Sequence, residues 1–227
     1  MTEDVNREMD LVAGEDDWSP TAHGLLLGDS IAAGDFVRDR DVLELGAGVG
    51  NHTILLLRKG ASRIVATEIT QSRIATARAN VERNCPGLAD RVEYRTSDWL
   101  DGDDKFDTVI TNPPFAVSGR RNRRYFIDEL ILRASRRLRD DGELLFVQSS
   151  MADVSKTLRR LDENGYDARA LDTRSGPFRD YYFDDPTFLE EARRVENGFE
   201  ERDGVFYETL SIIHGKLRPF TPPEFSH

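Results

Sequence analysis

Val42-Leu43-Glu44-Leu45-Gly46-Ala47-Gly48-Val49-Gly50 is the stretch that decides the fold. It begins as a short apolar run, typical of a buried strand, and it ends in a Gly-x-Gly-x-Gly turn that opens a helix. The three glycines let the backbone bend sharply, and they let a ligand approach without a Cβ in the way. Dinucleotide, flavin and nucleoside sites all use such turns, so the glycines alone do not choose among these ligands.

Two acidic residues narrow the choice of ligand. Glu44 lies inside the strand just before the turn, and Asn51 stands where the dinucleotide fingerprint has its last glycine. Glu68 ends the next apolar run, at about the twenty-residue separation expected of a carboxylate that binds ribose hydroxyls. The order of strand, glycine turn, helix, strand and acid predicts a βαβ unit that binds a nucleoside.

Composition limits the classes of protein. The 227 residues suffice for one well-packed domain, with 38% hydrophobic and 32% charged residues. No apolar run approaches the roughly 20 residues of a membrane helix, and the N-terminus lacks the pattern of a signal peptide, so we expect a cytoplasmic protein. Cys85 is the only cysteine, which excludes an internal disulfide and a cysteine metal cluster, and no metal site is predicted. The formal charge of −11 argues against broad binding to nucleic acid.

Regular alternation of strands and helices organises the chain. Such alternation predicts an α/β fold with a parallel sheet covered by helices on both faces. Ligands of these sheets bind at the carboxyl ends of the strands, where Gly46, Glu68, Asp98 and Asn112 all fall. We expect a helix from about Ser19, and we divide the chain into an acidic flexible tail (1–17), a domain (18–216) with an insertion (173–203), and a C-terminal tail (217–227).

These motifs resemble those of class I S-adenosylmethionine-dependent methyltransferases, over roughly residues 18–216. The glycine stretch is similar to the family's cofactor loop, Glu68 to its ribose-binding acid, and Asp98 to the acid that meets the adenine amino group. Trp99 could flank the adenine, although a core tryptophan fits equally well. The cofactor-binding residues that the resemblance implies, with the neighbours we group with them, are Glu44, Gly46, Gly48, Gly50, Glu68, Ile69, Asp98, Trp99 and Asn112.

A second motif, Asn112-Pro113-Pro114-Phe115, resembles the signature of the amino-group methylating branch. That branch includes DNA and RNA adenine, RNA guanine and release-factor glutamine enzymes. The resemblance implies a Rossmann-like, doubly wound sheet of seven strands, mostly parallel, whose last strand is antiparallel. Residues 205–213 look like that strand and are most similar to the glutamine-methylating group. His23 departs from that group, which carries an acid there in a Pro-x-x-Asp pattern; a histidine on the helix surface is the alternative interpretation.

The Asn-Pro-Pro-Phe loop has a chemical rationale. An amide or exocyclic amine nitrogen delocalises its lone pair and is a poor nucleophile. The side-chain oxygen of Asn112 and the carbonyl of Pro113 can each accept one of its N–H bonds, which returns electron density to the nitrogen. The two prolines keep these acceptors rigid, and Phe115 offers a flat face to a planar group. A rigid Pro113-Pro114 turn after a strand, with no chemical role, is the alternative.

Two further segments are candidates for substrate binding. Arg120, Arg121 and Arg124 follow the loop at the start of a helix, where a substrate carboxylate or phosphate could dock. A solvated turn in an acidic protein is the alternative. Tyr181 and Tyr182 lie in the insertion, which is either a substrate lid or simple packing.

The sequence therefore predicts an S-adenosylmethionine-dependent N-methyltransferase. Its expected substrate is a small amino or amide compound or a protein side-chain amide, with an anionic group. The alternative is an RNA or DNA base, at adenine N6 or guanine N2. A nicotinamide-dependent dehydrogenase is disfavoured by the glycine spacing and by the lack of a Tyr-x-x-x-Lys pair. A non-catalytic nucleoside-binding subunit is disfavoured by the intact Asn112 loop.

Overall fold

A computed structural model describes residues 9–14, 21–115, 123–185 and 187–219 of the chain. Its centre is an eight-stranded sheet flanked by helices on both faces. The strands are β1 Asp41–Leu45, β2 Arg63–Glu68, β3 Val92–Thr96, β4 Phe106–Thr111, β5 Leu138–Ser149, β6 Tyr166–Pro177, β7 Glu200–Arg202 and β8 Val205–Leu217. The helices are α1 Ala22–Ala33, α2 Asn51–Arg58, α3 Gln71–Asn84, α4 Tyr125–Arg133, α5 Val154–Glu163 and α6 Phe188–Ala192.

The strand order is β3-β2-β1-β4-β5-β8-β6. The first five strands of this order are parallel, and β8 runs antiparallel to both β5 and β6. The order reverses between β1 and β4, which makes their carboxyl ends the expected ligand site. This arrangement confirms the predicted Rossmann-like sheet with an antiparallel last strand.

An eighth strand is the difference from the predicted seven. β7 pairs with β8 across a hairpin whose turn is Asp203-Gly204, and both turn residues have positive φ, at 50° and 77°. An Asp-Gly pair is a strong signal for such a tight hairpin turn. In addition, β6 extends to Pro177, so the first residues of the predicted insertion belong to the sheet.

Strand side chains alternate between two apolar layers. One layer packs beneath α1, α2 and α3, and the other beneath α4 and α5. On β1, for example, Val42 belongs to the first layer while Leu43 and Leu45 belong to the second. Because side chains alternate along a strand, this assignment also fixes which helices cover each polar residue at the strand ends.

The described part of the amino-terminal segment is bound to the domain and is not the flexible tail that the sequence predicted. Residues 9–14 lie along α3, where the side-chain amides of Asn80 and Asn84 bond to the backbone of Val12 and Asp10. The remainder of the predicted tail lies outside the described residues, as does Ser19. The helix itself begins after Thr21, whose hydroxyl accepts a hydrogen bond from the Gly24 amide.

Among the described residues, we find no helix that combines the length and the apolar character needed to cross a membrane.

Candidate active site

The glycine turn connects β1 to α2 with three residues of positive φ. Gly46 and Gly48, at 74° and 56°, face open space, because a Cβ added at either would meet no atom within 4 Å. Gly50, at 84°, has another role, since its added Cβ would lie 3.0 Å from the Ala77 carbonyl oxygen. The first two glycines therefore leave the backbone accessible to a ligand, while the third allows α2 to pack against α3.

Glu68 lies at the end of β2 and is held against this turn. Its two carboxylate oxygens accept hydrogen bonds from the amides of Gly48, at 3.0 Å, and Ile69, at 2.9 Å. Arg73 lies 3.7 Å from the carboxylate. Beside it, the Ile69 side chain is 63% exposed and offers an apolar surface at the same strand end. These positions fit a nucleoside that rests on the turn with its ribose at Glu68.

Glu44 lies beneath the turn. Its side chain is buried, and the Thr53 hydroxyl of α2 donates a 2.5 Å hydrogen bond to it. Burial raises the pKa of Glu44 to about 8, against a smaller opposing effect of the Thr53 hydrogen bond. The carboxyl group thus ties β1 to α2 from inside, and its assignment as a cofactor-binding residue remains a prediction.

The raised pKa of Glu44 predicts a pH dependence of stability. The folded state keeps the proton up to a pH of about 8, whereas an ordinary glutamate loses it near 4.5. Between these values the unfolded state binds fewer protons, so Glu44 lowers the free energy of unfolding as pH rises, by up to about 1.4 kcal/mol per pH unit. In urea unfolding across this range, Glu44→Gln should gain stability over the wild type with increasing pH. Parallel pH profiles for the two proteins would refute this linkage.

Asp98 and Trp99 follow β3 at the same edge of the sheet. Asp98 is exposed, while Trp99 is half-buried and has a φ of 47°. The Trp99 ring meets Phe126 edge-on at 5.0 Å and packs on the second apolar layer. Its indole nitrogen is buried without a hydrogen-bond partner in the part of the chain that is described. Asp98 is thus accessible to a ligand, and Trp99 combines core packing with a place beside the predicted adenine site.

The Asn-Pro-Pro-Phe loop follows β4 directly. Asn112 is half-buried, Pro113 is buried and Pro114 is exposed. The start of α1 covers the loop, since a Cβ added at Gly24 would lie 3.8 Å from the Asn112 side-chain nitrogen. The Gly24 carbonyl lies 2.8 Å from Nε2 of His52, whose pKa is lowered by burial. His52 therefore links α2 to α1 in the wall above Asn112.

Phe115 connects this loop to the insertion. Its ring packs edge-on against Tyr182, at 6.2 Å, and Phe188, at 6.5 Å. Tyr182 is buried and stacks on Phe188 at 4.5 Å, while Tyr181 is half-buried and its hydroxyl accepts a hydrogen bond from Arg179. The insertion thus forms an aromatic cluster next to the loop.

The arginines after the loop divide into two groups. Arg120 and Arg121 lie outside the described residues. Arg124 is buried, and its guanidinium donates to the carbonyl of Ala152 and to the hydroxyl of Thr157. It also bonds to Asp128 at 3.1 Å. These bonds tie the start of α4 to α5, so the geometry favours a structural role for Arg124 over substrate binding.

Arg123, which belongs to the same arginine run but is not among its predicted substrate-binding residues, holds the insertion in place. It pairs with Asp185 at 2.9 Å and with Glu191 at 2.5 Å, and it lies over the Phe188 ring at 4.6 Å. Arg123 therefore fixes the aromatic cluster against the end of the loop segment.

Two buried polar residues near the loop differ from the sequence prediction. One was expected on a helix surface, and the other had no predicted role. His23 is 4% exposed rather than on the helix surface, and neither ring nitrogen has a hydrogen-bond partner among the described residues. Glu208 is buried on β8, where Tyr182 donates a 3.0 Å hydrogen bond to it. Its sequence signal is weak: Glu208 precedes Leu210 and Ile212 by even steps, which places it on a buried face.

The sequence profile of one family, the methyltransferase small domain, matches residues 25–168, which is more than half of the chain. The chain belongs to the methyltransferase small domain family. The matched region contains the glycine turn, Glu68, Asp98 and the Asn112 loop. This protein is accordingly a class I methyltransferase that uses S-adenosylmethionine. In the described residues, no three His, Cys, Asp or Glu side chains are grouped so that they could hold a metal ion.

Relatives of this methyltransferase act on different substrates. A protein of Methanocaldococcus jannaschii, assigned as a protein N5-glutamine methyltransferase, is 27% identical over 57% of this chain and 72% of its own. The ribosomal RNA large subunit methyltransferase K/L of Photobacterium profundum is 27% identical over 63% of this chain, but over only 21% of its own length.

A solved structure shares the fold over nearly the whole chain. It is the structure of a protein of Pyrococcus horikoshii assigned as an RNA methyltransferase, with a TM-score of 0.62. It covers 94% of this chain and 96% of the other, at 17% sequence identity. At that identity the likeness establishes the fold alone.

Proposed function

We propose that this methyltransferase transfers a methyl group to the side-chain amide nitrogen of a protein, with glutamine as the favoured residue. The observation that carries the proposal is the position of Asn112, half-buried at the carboxyl end of β4 and next to the glycine turn of β1. The 27% identity to the assigned glutamine methyltransferase of M. jannaschii supports the same acceptor.

Asn112 and Pro113 activate the acceptor nitrogen in this proposal. The amide oxygen of Asn112 and the Pro113 carbonyl each accept one N–H bond of the substrate amide. Their electron density lowers the delocalisation of the nitrogen lone pair and turns it out of the amide plane. Because Pro113 is buried and Pro114 fixes its own φ, the acceptors need little reorganisation during the reaction.

The cofactor would lie along the carboxyl edge of β1, β2 and β3. Gly46 and Gly48 leave room for it, Glu68 would accept its ribose hydroxyls, and Asp98 its adenine amino group, with Ile69 and Trp99 flanking the base. Bound S-adenosylmethionine supplies an electrophilic methyl group, and the residues of the chain hold the acceptor nitrogen in line with it.

One side of the acceptor site would be aromatic and would consist of Phe115, Tyr181 and Tyr182. The two tyrosines belong to the insertion, which would act as a substrate lid. Arg120 and Arg121 remain candidates for an anionic group of the substrate. A reducing cytoplasm suits a chain with a single cysteine, and we propose it as the location.

A base of RNA is the second candidate acceptor. It is favoured by the ribosomal RNA methyltransferase among the relatives, and the same Asn112 geometry suits an exocyclic amine. The net charge of −11 opposes it, because a polyanion would be repelled outside a local basic patch.

A methyl-labelling experiment with the two kinds of substrate, each offered separately, distinguishes the two acceptors. The protein is incubated with methyl-labelled S-adenosylmethionine and either a glutamine-containing peptide library or total RNA, with Asn112→Ala as the matched control. Label in the peptides that disappears in the variant supports the proposal. Label in RNA alone would overturn it in favour of the second candidate.

A further inference from the structure

Arg123 makes three contacts at once with one short stretch of the insertion. Its guanidinium pairs with Asp185 at 2.9 Å and with Glu191 at 2.5 Å, and it lies over Phe188 at 4.6 Å from the ring centre. Phe188 stands three residues after Asp185 and three before Glu191, so the two carboxylates bracket the ring in the sequence. The Arg123 side chain is only 11% exposed, and its ion pairs are therefore partly shielded from solvent and salt.

The aromatic cluster that Arg123 holds reaches the Asn-Pro-Pro-Phe loop. Phe188 stacks on Tyr182 at 4.5 Å, with an angle of 14° between the two rings. Both rings meet Phe115 edge-on, Phe188 at 6.5 Å and Tyr182 at 6.2 Å. Phe115 is the last residue of the loop and is half-buried. A chain of direct ring contacts thus leads from Arg123 through Phe188 to the loop.

The cluster is also anchored in the sheet. The Tyr182 hydroxyl donates a 3.0 Å hydrogen bond to Glu208 of β8. Just after β5, the Ser150 hydroxyl donates a 2.6 Å hydrogen bond to the carbonyl of Gly198, near the end of the insertion. Because these bonds do not involve Arg123, the insertion keeps an attachment to the sheet without it. Loss of Arg123 should therefore loosen the contact between the cluster and the loop rather than release the whole insertion.

The contacts of Arg123 need the shape of an arginine. A planar guanidinium can pair with two carboxylates and lie flat on an aromatic ring at the same time. The ammonium group of lysine carries the same charge, but it is a compact and strongly hydrated point charge. Methionine keeps an unbranched apolar chain and loses both ion pairs. Lysine and methionine at position 123 therefore form a graded series of substitutions.

We propose that Arg123 is a positioning residue of methyl transfer, which acts through Phe188 on Phe115 and so fixes one wall of the acceptor site. This inference rests on the proposed function, in which Phe115 borders the methyl acceptor. Arg123 acts without touching the substrate or the cofactor. A displacement of about 1 Å by a distant mutation can lower a reaction rate about a hundredfold, so a shifted wall is expected to lower turnover.

Simple fastening of the insertion is the competing explanation. Under it, loss of Arg123 would lower the free energy of unfolding and would leave the turnover of the folded protein unchanged. A positioning role predicts instead a lower turnover that depends on the presence of the Phe115 ring. Measurements on the folded protein, with and without that ring, therefore distinguish the two explanations.

The first measurement is fluorine NMR of the protein labelled with para-fluorophenylalanine, without any substrate. Each signal is assigned by replacing a single phenylalanine with leucine. R123M should shift the signals of both Phe188 and Phe115, because the ring contacts around them change. The signal of Phe146, which is buried in the middle of the sheet, should stay in place. An unmoved Phe115 signal in R123M would overturn the inference.

The second measurement is the single-turnover rate of methyl transfer at saturating S-adenosylmethionine. R123M should lower this rate about tenfold, and R123K should lower it less than about threefold. The affinity for S-adenosylmethionine should stay within about twofold of the wild type in both variants. In a Phe115→Leu background, R123M should change the rate by less than about twofold, because the ring through which Arg123 acts is absent. An unchanged rate in R123M, or the full effect in that background, would contradict the positioning role.

The matched control is R139M. Arg139 also pairs with two carboxylates, Asp41 at 2.8 Å and Asp107 at 2.7 Å, but at the amino ends of β1 and β4, on the opposite edge of the sheet. It should keep the wild-type rate and the Phe115 signal, and an equal loss of rate in this variant would overturn the inference. If R123M does not fold, E191Q replaces it, since it removes one partner of Arg123 at a partly exposed position. E191Q should shift the Phe115 signal as well, and an unmoved signal there counts against the proposal.

Together the two measurements separate this inference from the proposed function. A shifted Phe115 signal in R123M, without methyl transfer to any peptide, refutes the proposed acceptor and keeps the contact path from Arg123 to the loop. The rates are then compared with total RNA, the second candidate, and decide there. Transfer to the glutamine nitrogen that does not respond to R123M keeps the reaction and refutes the positioning role.

Discussion

Replacing Asn112 with alanine should lower turnover by about a hundredfold or more, while the affinity for S-adenosylmethionine stays within a few fold. The variant removes one of two preorganised acceptors for the N–H bonds of the substrate nitrogen, and losses of that size follow removal of such a group in other enzymes. Because Asn112 is half-buried and lies just after β4 rather than in the core, the fold should persist. Single-turnover methylation and calorimetry measure the two effects separately.

Asn112→Asp is the informative companion to this variant. An aspartate keeps an acceptor oxygen at the same reach, so it should retain more activity than alanine does. Methylation by Asn112→Ala at the wild-type rate would show that the loop does not activate the nitrogen. Equal losses in both variants would mean that an acceptor oxygen alone does not suffice and that the uncharged amide of Asn112, with its NH2 group, is required.

Replacing Glu68 with alanine should weaken S-adenosylmethionine binding about ten- to a hundredfold. The carboxylate lies against the glycine turn, and loss of hydrogen bonds to a charged acceptor costs roughly 1.5–3 kcal/mol. The amides of Gly48 and Ile69 lose their partner as well, so the turn itself should become less ordered. Calorimetric titration with S-adenosylmethionine measures the effect.

Glu82→Ala is the control for Glu68, since Glu82 is an exposed glutamate on the neighbouring helix α3. It should bind the cofactor as the wild type does. Unchanged affinity in Glu68→Ala would show that the ribose is held elsewhere. Equal weakening in both variants would point to a general charge effect.

The parts of the fold that depend on local sequence were predictable. The step from a buried strand to the Gly46 turn, and the alternation of strand and helix after it, follow from periodicities that neighbouring residues carry. Parallel topology then places Glu68, Asp98 and Asn112 at one edge without further information, because the carboxyl ends of parallel strands meet there. The positions of these residues in the structure agree with that expectation.

Long-range pairing was the part that the sequence did not reveal. Glu208 is linked to Phe115 of the loop through Tyr182, a contact between β8 and the insertion that no local pattern encodes. The role of Arg124 likewise depends on distant residues. The carbonyl groups of Ala152 and Asp153, just before α5, accept hydrogen bonds from its guanidinium. Its neighbours in the sequence are mostly arginines, and they indicate an exposed position instead. The β7–β8 hairpin, by contrast, has a local signal in its Asp203-Gly204 turn.

The central claim is that this protein methylates a side-chain amide nitrogen held by the Asn112 loop. Its most direct test locates the transferred methyl group. A peptide with nitrogen-labelled glutamine is treated with the protein and carbon-labelled S-adenosylmethionine, and the product is examined by NMR. We predict a direct carbon–nitrogen coupling on the glutamine side chain with the wild type and none with Asn112→Ala. A methyl group on oxygen, on carbon or on another nitrogen, or a coupling that survives in the variant, would contradict the account.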